Sequence, residues 1–269
     1  MSNSETVEVN SGAGRVSRTV ENHVLLIGLD RAGKRNAFDS AMMIDLSLAL
    51  GEFEQNDDLR CAVIHAHGEH FTAGLDLMEL TPKLVSGNFS YPPEGIDPWG
   101  LSNRLTKPLI VAVQGMCWTA GIELMLTADI ALAACDARFA QVEVMRGIPP
   151  SGGATVRFPE AAGWSNTMRY LLTGDEFSAD DAYRMNLVSE VVDQANLLST
   201  AMELANKIAK AAPLAVKATL ASARQVATDG EAKTLGALNQ SLLELLKTKD
   251  VQEGVAAMMQ KREPNFIGQ

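Results

Sequence analysis

Short apolar runs alternate with longer segments of helical period along the first two thirds of the chain. Ala41–Phe53 places apolar side chains on one stripe of a helix. Four apolar runs have the length and composition of strands that are buried on both faces: Val24–Leu29, Ala62–His65, Leu109–Val113 and Ile130–Ala134. Strands that alternate with helices predict an α/β core with parallel strand pairing.

The pattern changes near Asp193. From Gln194 to Arg262 the chain is almost entirely helix-forming, Pro213 suits a first helical turn, and Asp229-Gly230 is typical of a break between helices. The apolar stripes of these helices predict docking on the core or on another subunit. We therefore expect a flexible N-terminal tail over residues 1–14, a core over 15–193, and a helical oligomerisation region over 194–269.

Composition narrows the class of protein. The 269 residues carry 23 Lys and Arg against 33 Asp and Glu, a formal net charge of −10, which argues against a nucleic-acid partner. The uncharged stretch Pro108–Ile122 is shorter than the roughly 20 residues of a membrane span. The N-terminal residues lack the apolar core of a secretory signal. We expect a cytoplasmic protein, with Cys61, Cys117 and Cys135 as buried, reduced thiols.

Two motifs near the first strands are weak. Gly12-Ala13-Gly14 lacks the third glycine of a dinucleotide-binding turn and precedes a strand instead of following one. His65, His67 and His70 have a spacing that would let two imidazoles face a metal, but Glu69 is the one acidic neighbour. A surface role at a strand end is favoured, and no metal site is predicted.

Two strand–turn–helix units carry the stronger chemical signal. The segments GEHFTAGLDL (68–77) and MCWTAGIEL (116–124) each follow an apolar strand and place small residues at the predicted start of a helix. Backbone N–H groups are unpaired at such a start, so two of these turns facing one another would form an oxyanion site with two donors. Glycine turns that merely permit close packing have the same pattern, so the pattern alone leaves both interpretations open.

Five segments in order resemble the crotonase, or enoyl-CoA hydratase/isomerase, superfamily. They are LDRAGKRNAFD (29–39), HGEHFTAGLDL (67–77), GMCWTAGIELMLTADIALA (115–133), RFAQVEVMRGIPPSGGAT (138–155) and LLTGDEFSADDAYRMNLVSEVV (171–192). The resemblance implies a spiral of repeated ββα units, a C-terminal helical region that assembles homotrimers or homohexamers, and an acyl-CoA thioester as substrate. CoA is part of that substrate, so neither a metal nor a redox cofactor is expected.

The resemblance also implies the site residues. The N–H groups of Leu75 and Ala120 correspond to the donors that hold the thioester oxygen, and Glu123 and Glu143 to the catalytic carboxylates. Many members have glycine at all three positions of Thr119-Ala120-Gly121 and alanine at Leu75, so we expect an altered acyl pocket. The further substrate- or CoA-binding positions are Lys34, Arg35, Ala73, Gly74, Asp76, Leu77 and Gly121.

Having both glutamates favours reversible hydration of a 2-trans-enoyl-CoA to a 3-hydroxyacyl-CoA. Without the resemblance, Glu123 would read as a carboxylate at a helix N-terminus and Glu143 as a solvated charge at a strand end. Isomerisation or another acyl-CoA lyase reaction is the alternative within the fold. A non-catalytic acyl-CoA-binding scaffold is the alternative of another class.

Four further positions have weaker signals. Asp129 precedes a buried strand and is expected to be structural, and Ser151 stands where dienoyl-CoA isomerases of the family carry an acidic residue. Lys261 and Phe266 resemble a C-terminal segment that reaches a neighbour's adenine in some relatives. The proline-containing stretch Tyr91–Trp99 is predicted to be a loop over the acyl pocket.

Overall fold

A six-stranded sheet forms the centre of the molecule in the computed structural model, which describes residues 13–269. The strands, in spatial order, are β1 (Arg15–Glu21), β2 (Val24–Asp30), β3 (Cys61–Ala66), β4 (Leu109–Val113), β6 (Ile130–Ala134) and β9 (Glu190–Val192). β1 and β2 are antiparallel, and every other pair is parallel. All four predicted strands are confirmed to within one residue at each end, as is their parallel pairing.

The chain also forms a smaller second sheet, whose strands alternate in sequence with the later strands of the first. It contains β5 (Met116–Trp118), β7 (Arg138–Ala140) and β8 (Phe177–Ser178), with β5 parallel to β7 and β7 antiparallel to β8. An isolated bridge between Thr72 and Cys117 extends this layer toward the segment that follows β3. A strand of the large sheet, a strand or bridge of the small sheet and then a helix therefore recur along the chain, which is the predicted ββα repeat.

Ten α-helices surround and extend the sheets within residues 13–269. They are α1 (Ser40–Gln55), α2 (Leu77–Val85), α3 (Ala120–Met125), α4 (Ala154–Ala162), α5 (Trp164–Thr173), α6 (Ala179–Arg184), α7 (Leu197–Ala209), α8 (Pro213–Asp229), α9 (Glu231–Leu245) and α10 (Lys249–Gln260). Three short 3-10 turns cover Ala32–Lys34, Glu143–Arg146 and Gln194–Asn196. The predicted helix Ala41–Phe53 lies within α1, whose N-terminus is capped by the Asp39 carboxylate accepting the N–H of Met42 at 2.8 Å.

The large sheet buries apolar side chains on both faces. On one face Leu25, Ile27 and Leu29 of β2 belong to the same buried cluster as the α1 side chains Leu46 and Leu50. A second cluster on the other face joins strand residues to the small side chains of α7. α7 follows the predicted boundary at Asp193 in sequence but packs on the core sheet, so the change in composition does not coincide with a change in packing.

The helices after α7 are less enclosed. Pro213 begins α8, and Gly230 separates α8 from α9, as the sequence predicts. Five leucines along and just after α9 are 45–58 % exposed: Leu235, Leu238, Leu242, Leu243 and Leu246. The C-terminal segment folds back onto the molecule, because Asp250 accepts the N–H groups of Ile267 and Gly268, and Arg60 donates to the carbonyl of Phe266. Assembly through these helices stays a prediction.

Two expectations change at single residues. The predicted tail over 1–14 lies outside the described residues up to position 12, but Gly14 is buried and donates its N–H to Asp39 at 2.8 Å. Cys61 and Cys117 are buried as predicted, whereas the prediction was wrong for Cys135, which follows β6 and is exposed. Within residues 13–269, none of the helices combines the length and the apolar character that a membrane crossing requires.

Candidate active site

A cavity of about 350 Å³ opens where the two glycine-containing turns meet the 3-10 turn that begins at Glu143. That volume lies within the range of small-molecule sites. The residues that line it are Lys34, Ala37, Ala73, Leu75, Asp76, Leu77, Met78, Thr119, Ala120, Glu123, Val142, Glu143, Arg146, Ile148, Pro149 and Ser151. The side chains of Leu77, Met78 and Ile148 give it an apolar part, and Met78 is 91 % exposed. Both predicted carboxylates and both predicted amide donors therefore meet at one cavity.

Backbone hydrogen bonds hold the two turns against each other. Thr72 donates its N–H to Met116 at 2.9 Å and accepts the N–H of Trp118 at 3.1 Å. Its hydroxyl also accepts the N–H of Gly74 at 3.1 Å. The approach is close enough that a Cβ on Gly121 would overlap the Thr72 side chain, so glycine is required there for packing. The close-packing interpretation therefore applies to Gly121, and the oxyanion-site interpretation stays a prediction.

The two predicted donors have N–H groups without a partner in the described chain. The neighbours of Leu75 are bonded, with Gly74 N–H on Thr72 and Asp76 N–H on the carbonyl of Phe38. Ala120 is the first residue of α3, so its N–H has no acceptor within the helix. Ala120 is buried and Leu75 is half-buried. These N–H groups are available to a carbonyl oxygen in the cavity.

Backbone donors orient the carboxylate of Glu123. Its Oε1 accepts the N–H of Gly152 at 2.7 Å and that of Ala154 at 3.2 Å. Burial raises the pKa of Glu123, while these N–H groups, that of Gly153 and the charge of Arg157 act in the opposite direction. Glu123 is thus held as a hydrogen-bond acceptor within the cavity wall.

Glu143 occupies a different environment, at the start of its 3-10 turn. Burial, with the nearby charge of Glu123 as a smaller cause, raises the pKa of Glu143 to about 7, against the opposing influence of Arg146. Its Oε2 is buried and has no hydrogen-bond partner among residues 13–269. Glu143 is therefore buried, not the solvated strand-end charge of the plainer interpretation.

Among the described residues, Lys34 and Arg146 are the two cations that line the cavity, whereas the sequence predicted Lys34 and Arg35. Lys34 lines it and is exposed, as is Arg146, three residues after Glu143. Arg35 is exposed and does not line this cavity. Asp76 lines the cavity, but its carboxylate pairs with Arg31 at 2.9 Å. Of the other predicted contact positions, Ala73 and Leu77 line the cavity, whereas Gly74 and Gly121 lie behind its lining.

Of the positions with weaker sequence signals, Ser151 alone lies at this cavity. Ser151 lines the cavity and is exposed. Asp129 lies elsewhere, accepting the N–H of Leu109 at 3.0 Å and pairing with Arg224, which agrees with a structural role. The C-terminal Phe266 lines a separate cavity of the same chain, beside Arg60. The loop Tyr91–Trp99 contributes no residue to the lining of this cavity, and its place over the acyl pocket stays a prediction.

Two of the three histidines near β3 make hydrogen bonds to neighbouring residues. His67 shares a hydrogen bond of 2.7 Å with Ser17, and the Nδ1 of His70 accepts the N–H of Met116 at 3.3 Å. Burial lowers the pKa of His65 to about 4, with the nearby His67 acting in the same direction. The described chain has no group of three or more His, Cys, Asp or Glu side chains arranged to hold a metal ion.

Sequence reasoning missed the scaffold behind the carboxylates. Trp99 donates its indole N–H to the Ala120 carbonyl at 2.9 Å. Arg157 donates to the carbonyls of Trp99 at 2.8 Å, Gly152 at 3.3 Å and Gly100 at 3.1 Å. The bonds to Ala120, Trp99 and Gly100 connect segments 21 to 58 residues apart, so no local spacing could have indicated them. Arg146 had a local signal, its position three residues after Glu143.

An α/β spiral of repeated ββα units defines the crotonase class of fold, and in this chain two buried glutamates lie at one cavity. In agreement, the family model described as enoyl-CoA hydratase/isomerase matches residues 19–269. The chain belongs to the enoyl-CoA hydratase/isomerase family.

Three similar proteins illustrate the range of names in the family. Enoyl-CoA hydratase EchA19 of Mycobacterium tuberculosis is 34 % identical over 247 residues, which cover 91 % of this chain and 93 % of that protein. The 1,2-epoxyphenylacetyl-CoA isomerase of Escherichia coli is 31 % identical, covering 93 % of this chain and 97 % of the isomerase. The crystal structure of a probable enoyl-CoA hydratase/isomerase from Mycobacterium abscessus has a TM-score of 0.91 at 45 % identity, covering 94 % of this chain and 98 % of that one.

Proposed function

We propose that the protein is an enoyl-CoA hydratase that adds water reversibly to a 2-trans-enoyl-CoA and forms a 3-hydroxyacyl-CoA. The observation that carries the proposal is the pair of buried carboxylates in one cavity. Hydration needs one group that accepts a proton from water and another that delivers a proton to the substrate. Two carboxyl groups in different environments suit these duties, because their environments set different protonation behaviour.

Glu123 is the base in this proposal. Its carboxylate is oriented by the N–H groups of Gly152 and Ala154, which stabilise the ionised form. It orients a water molecule and removes the proton as the water oxygen adds to C3 of the substrate. In the reverse reaction the protonated carboxyl returns that proton to the leaving hydroxyl.

Glu143 is the acid. A carboxyl group with a pKa of about 7 holds a proton in a large share of molecules at neutral pH and releases it readily. It delivers this proton to C2 as the double bond is consumed, and it removes the C2 proton during dehydration. The unpartnered Oε2 has no protein donor that would compete for it among the described residues.

The N–H groups of Leu75 and Ala120 polarise the thioester in this account. Negative charge develops on the thioester oxygen when C3 is attacked, and fixed amide donors stabilise that charge without reorganisation. Both donors belong to the main chain, so the departures from glycine at Ala120 and from alanine at Leu75 remove neither N–H. The larger side chains change the space around the acyl group instead.

The proposed substrate also accounts for the cations and the apolar lining. Lys34 and Arg146 supply positive charge for CoA phosphates, and Leu77, Met78 and Ile148 offer apolar contacts to an acyl chain. The proposed chemistry uses no metal or redox cofactor. We further propose that the exposed leucines of α9 pack between copies of the chain in a homotrimer or homohexamer.

The test follows the loss of enoyl-CoA absorbance with purified wild type, Glu123→Gln and Glu143→Gln. Each variant keeps the shape of the side chain and loses the carboxyl proton chemistry, so we expect kcat to fall at least 100-fold in both. Rates equal to wild type in both variants would contradict the assignment. Binding of acyl-CoAs without turnover of any chain length would favour a non-catalytic scaffold.

Double-bond isomerisation is the second candidate, and the isomerase among the similar proteins favours keeping it. Isomerisation moves one proton between two carbons, for which a single carboxyl group with a pKa of about 7, such as Glu143, is sufficient. It leaves the mass of the substrate unchanged, whereas hydration adds one water, so the mass of the product separates the two reactions.

A further inference from the structure

Thr119 has a backbone conformation that glycine normally supplies. Its φ of 50° and ψ of −112° match the first central position of a type II′ turn, where a side chain is unfavourable. A β-branched residue with positive φ is an outlier even among such positions. Strained backbone of this kind persists where the surrounding structure imposes it, and it concentrates at functional sites. The residue directly precedes Ala120, one of the two proposed donors.

The surrounding hydrogen bonds impose this conformation. The N–H of Thr119 donates to the carbonyl of Ala140 in β7 at 2.9 Å, and its carbonyl accepts the N–H of Glu123 at 3.1 Å. Thr119 is therefore connected on one side to the strand that leads to Glu143 and on the other to the helix that carries Glu123. These bonds involve the main chain alone, so glycine would make them without strain. The threonine side chain needs a separate reason.

The hydroxyl of Thr119 lies between the two turns of the site. A Cβ added to Gly74 would overlap Thr119 Oγ1, so this oxygen packs directly against Gly74, the residue before Leu75. Thr119 also lines the cavity together with Leu75 and Ala120. Its hydroxyl makes no hydrogen bond with any residue between 13 and 269, although a hydroxyl rotates freely enough to donate to any nearby acceptor.

We propose that the Thr119 hydroxyl is a third hydrogen-bond donor to the thioester oxygen, beside the N–H groups of Leu75 and Ala120. This inference rests on the proposed function, because the oxygen it recognises belongs to the bound acyl-CoA. The oxyanion that develops during attack accepts several hydrogen bonds, and a donor already placed in the cavity stabilises it. This role of the hydroxyl explains why the position holds a threonine although its positive φ favours glycine.

Four variants of Thr119 separate the effect of its hydroxyl on kcat from the effects of side-chain shape and of backbone strain. Thr119→Ser keeps the hydroxyl, and we expect kcat within about threefold of wild type. Thr119→Ala keeps the Cβ but loses the donor, and Thr119→Val keeps the branching but loses the donor. We expect kcat to fall about 10-fold or more in both, in line with the loss of one donor from an oxyanion site. Thr119→Gly relieves the positive φ, so we expect a higher Tm together with the low kcat of Thr119→Ala.

Opposite changes of Tm and kcat in Thr119→Gly support the proposal, because a merely structural residue would not lower activity while its removal stabilises the fold. Equal kcat values in Thr119→Ala and Thr119→Ser would overturn it. A wild-type kcat in Thr119→Gly would overturn it as well.

A binding measurement tests the same hydrogen bond without any turnover. Butyryl-CoA labelled with heavy carbon at the thioester carbonyl has no double bond to hydrate, and infrared spectroscopy reports its C=O stretch when bound. We expect a lower stretching frequency on wild type and Thr119→Ser than on Thr119→Ala. Equal shifts on all three proteins would overturn the third donor and leave the two amides in place. No shift on wild type would overturn the oxyanion site itself, even if the protein hydrates enoyl-CoA by another arrangement.

Discussion

The indole N–H of Trp99 donates to the backbone carbonyl of Ala120 at 2.9 Å, and Ala120 lines the cavity. Trp99 is 4 % exposed and packs edge-on against Phe38, with ring centroids 5.4 Å apart. A side chain from a loop outside the cavity thereby fixes the orientation of the turn at Thr119-Ala120. The donor geometry of the site depends on a residue that does not line the cavity.

Replacing Trp99 with phenylalanine tests this dependence. Trp99→Phe keeps an aromatic ring but removes the side-chain hydrogen bond to the carbonyl of Ala120, which costs about 0.5–1.5 kcal/mol of the free energy of unfolding. We expect kcat to fall about 10-fold with a smaller change in KM, because the amide donor loses its orientation. Steady-state kinetics and thermal unfolding measure the two effects. An unchanged kcat with a lowered Tm would limit Trp99 to a structural role.

A substitution at Gly152 tests whether activity depends on the position of the Glu123 carboxylate. A Cβ at Gly152 would collide with the Glu123 carboxylate and with the Trp99 ring, so Gly152→Ala displaces the base although the Gly152 N–H remains. We expect kcat to fall about 100-fold, the size of effect that a small misplacement of a catalytic group produces. Gly254→Ala in α10 is the matched control, because among residues 13–269 a Cβ there meets only the Phe266 ring, at 3.5 Å and 3.7 Å, and the residue does not line the cavity. Equal activity of the two variants would contradict the role of Glu123.

Arg157 tests the protonation of Glu123. The charge of Arg157 acts to lower the pKa of Glu123, so Arg157→Met leaves that pKa higher. Since hydration needs Glu123 ionised, we expect the acidic limb of kcat/KM against pH to move to higher pH in Arg157→Met. Arg157→Lys keeps the charge, and we expect its limb to stay near that of wild type. A limb at the same pH in all three proteins would show that Arg157 acts through packing alone.

Glu143 links activity to stability. Because its pKa rises from 4.5 to about 7 on folding, the folded state binds more protons than the unfolded state between these values, and stability falls as the pH rises through that window. Glu143→Gln removes the buried charge that wild type carries above the window. We expect the variant to be more stable than wild type at pH 8 by roughly 1–3 kcal/mol, and the difference to shrink below pH 4.5.

Denaturant unfolding of both proteins at several pH values measures this difference. A constant difference in the free energy of unfolding across the pH range would contradict the raised pKa of Glu143.

The sequence was sufficient for the elements whose signal is local. The strands β2, β3, β4 and β6 of the parallel sheet are continuous apolar runs. A short run of this kind is typical of a strand that is buried on both faces of a sheet. The amide turns and both glutamates were indicated by ordered family motifs. Glu143 shows the limit of local reasoning, because its raised pKa arises from burial by segments that are distant along the chain.

The missed scaffold residues depend on contacts between distant segments. Trp99 and Arg157 act across 21 and 58 residues, on Ala120 and on Trp99 respectively. Asp76 lines the cavity, and its pairing with Arg31, 45 residues earlier, has no local signal in the sequence. Cys135 follows an apolar run in sequence but lies just past the end of β6, where its side chain is exposed.

The most direct test of the central claim is the mass of the product that wild-type protein forms from a short 2-trans-enoyl-CoA in water labelled with heavy oxygen. The account predicts a product heavier than the substrate by one labelled water, with the label retained on the hydroxyl at C3. A product of unchanged mass, or recovery of the substrate alone, would contradict it.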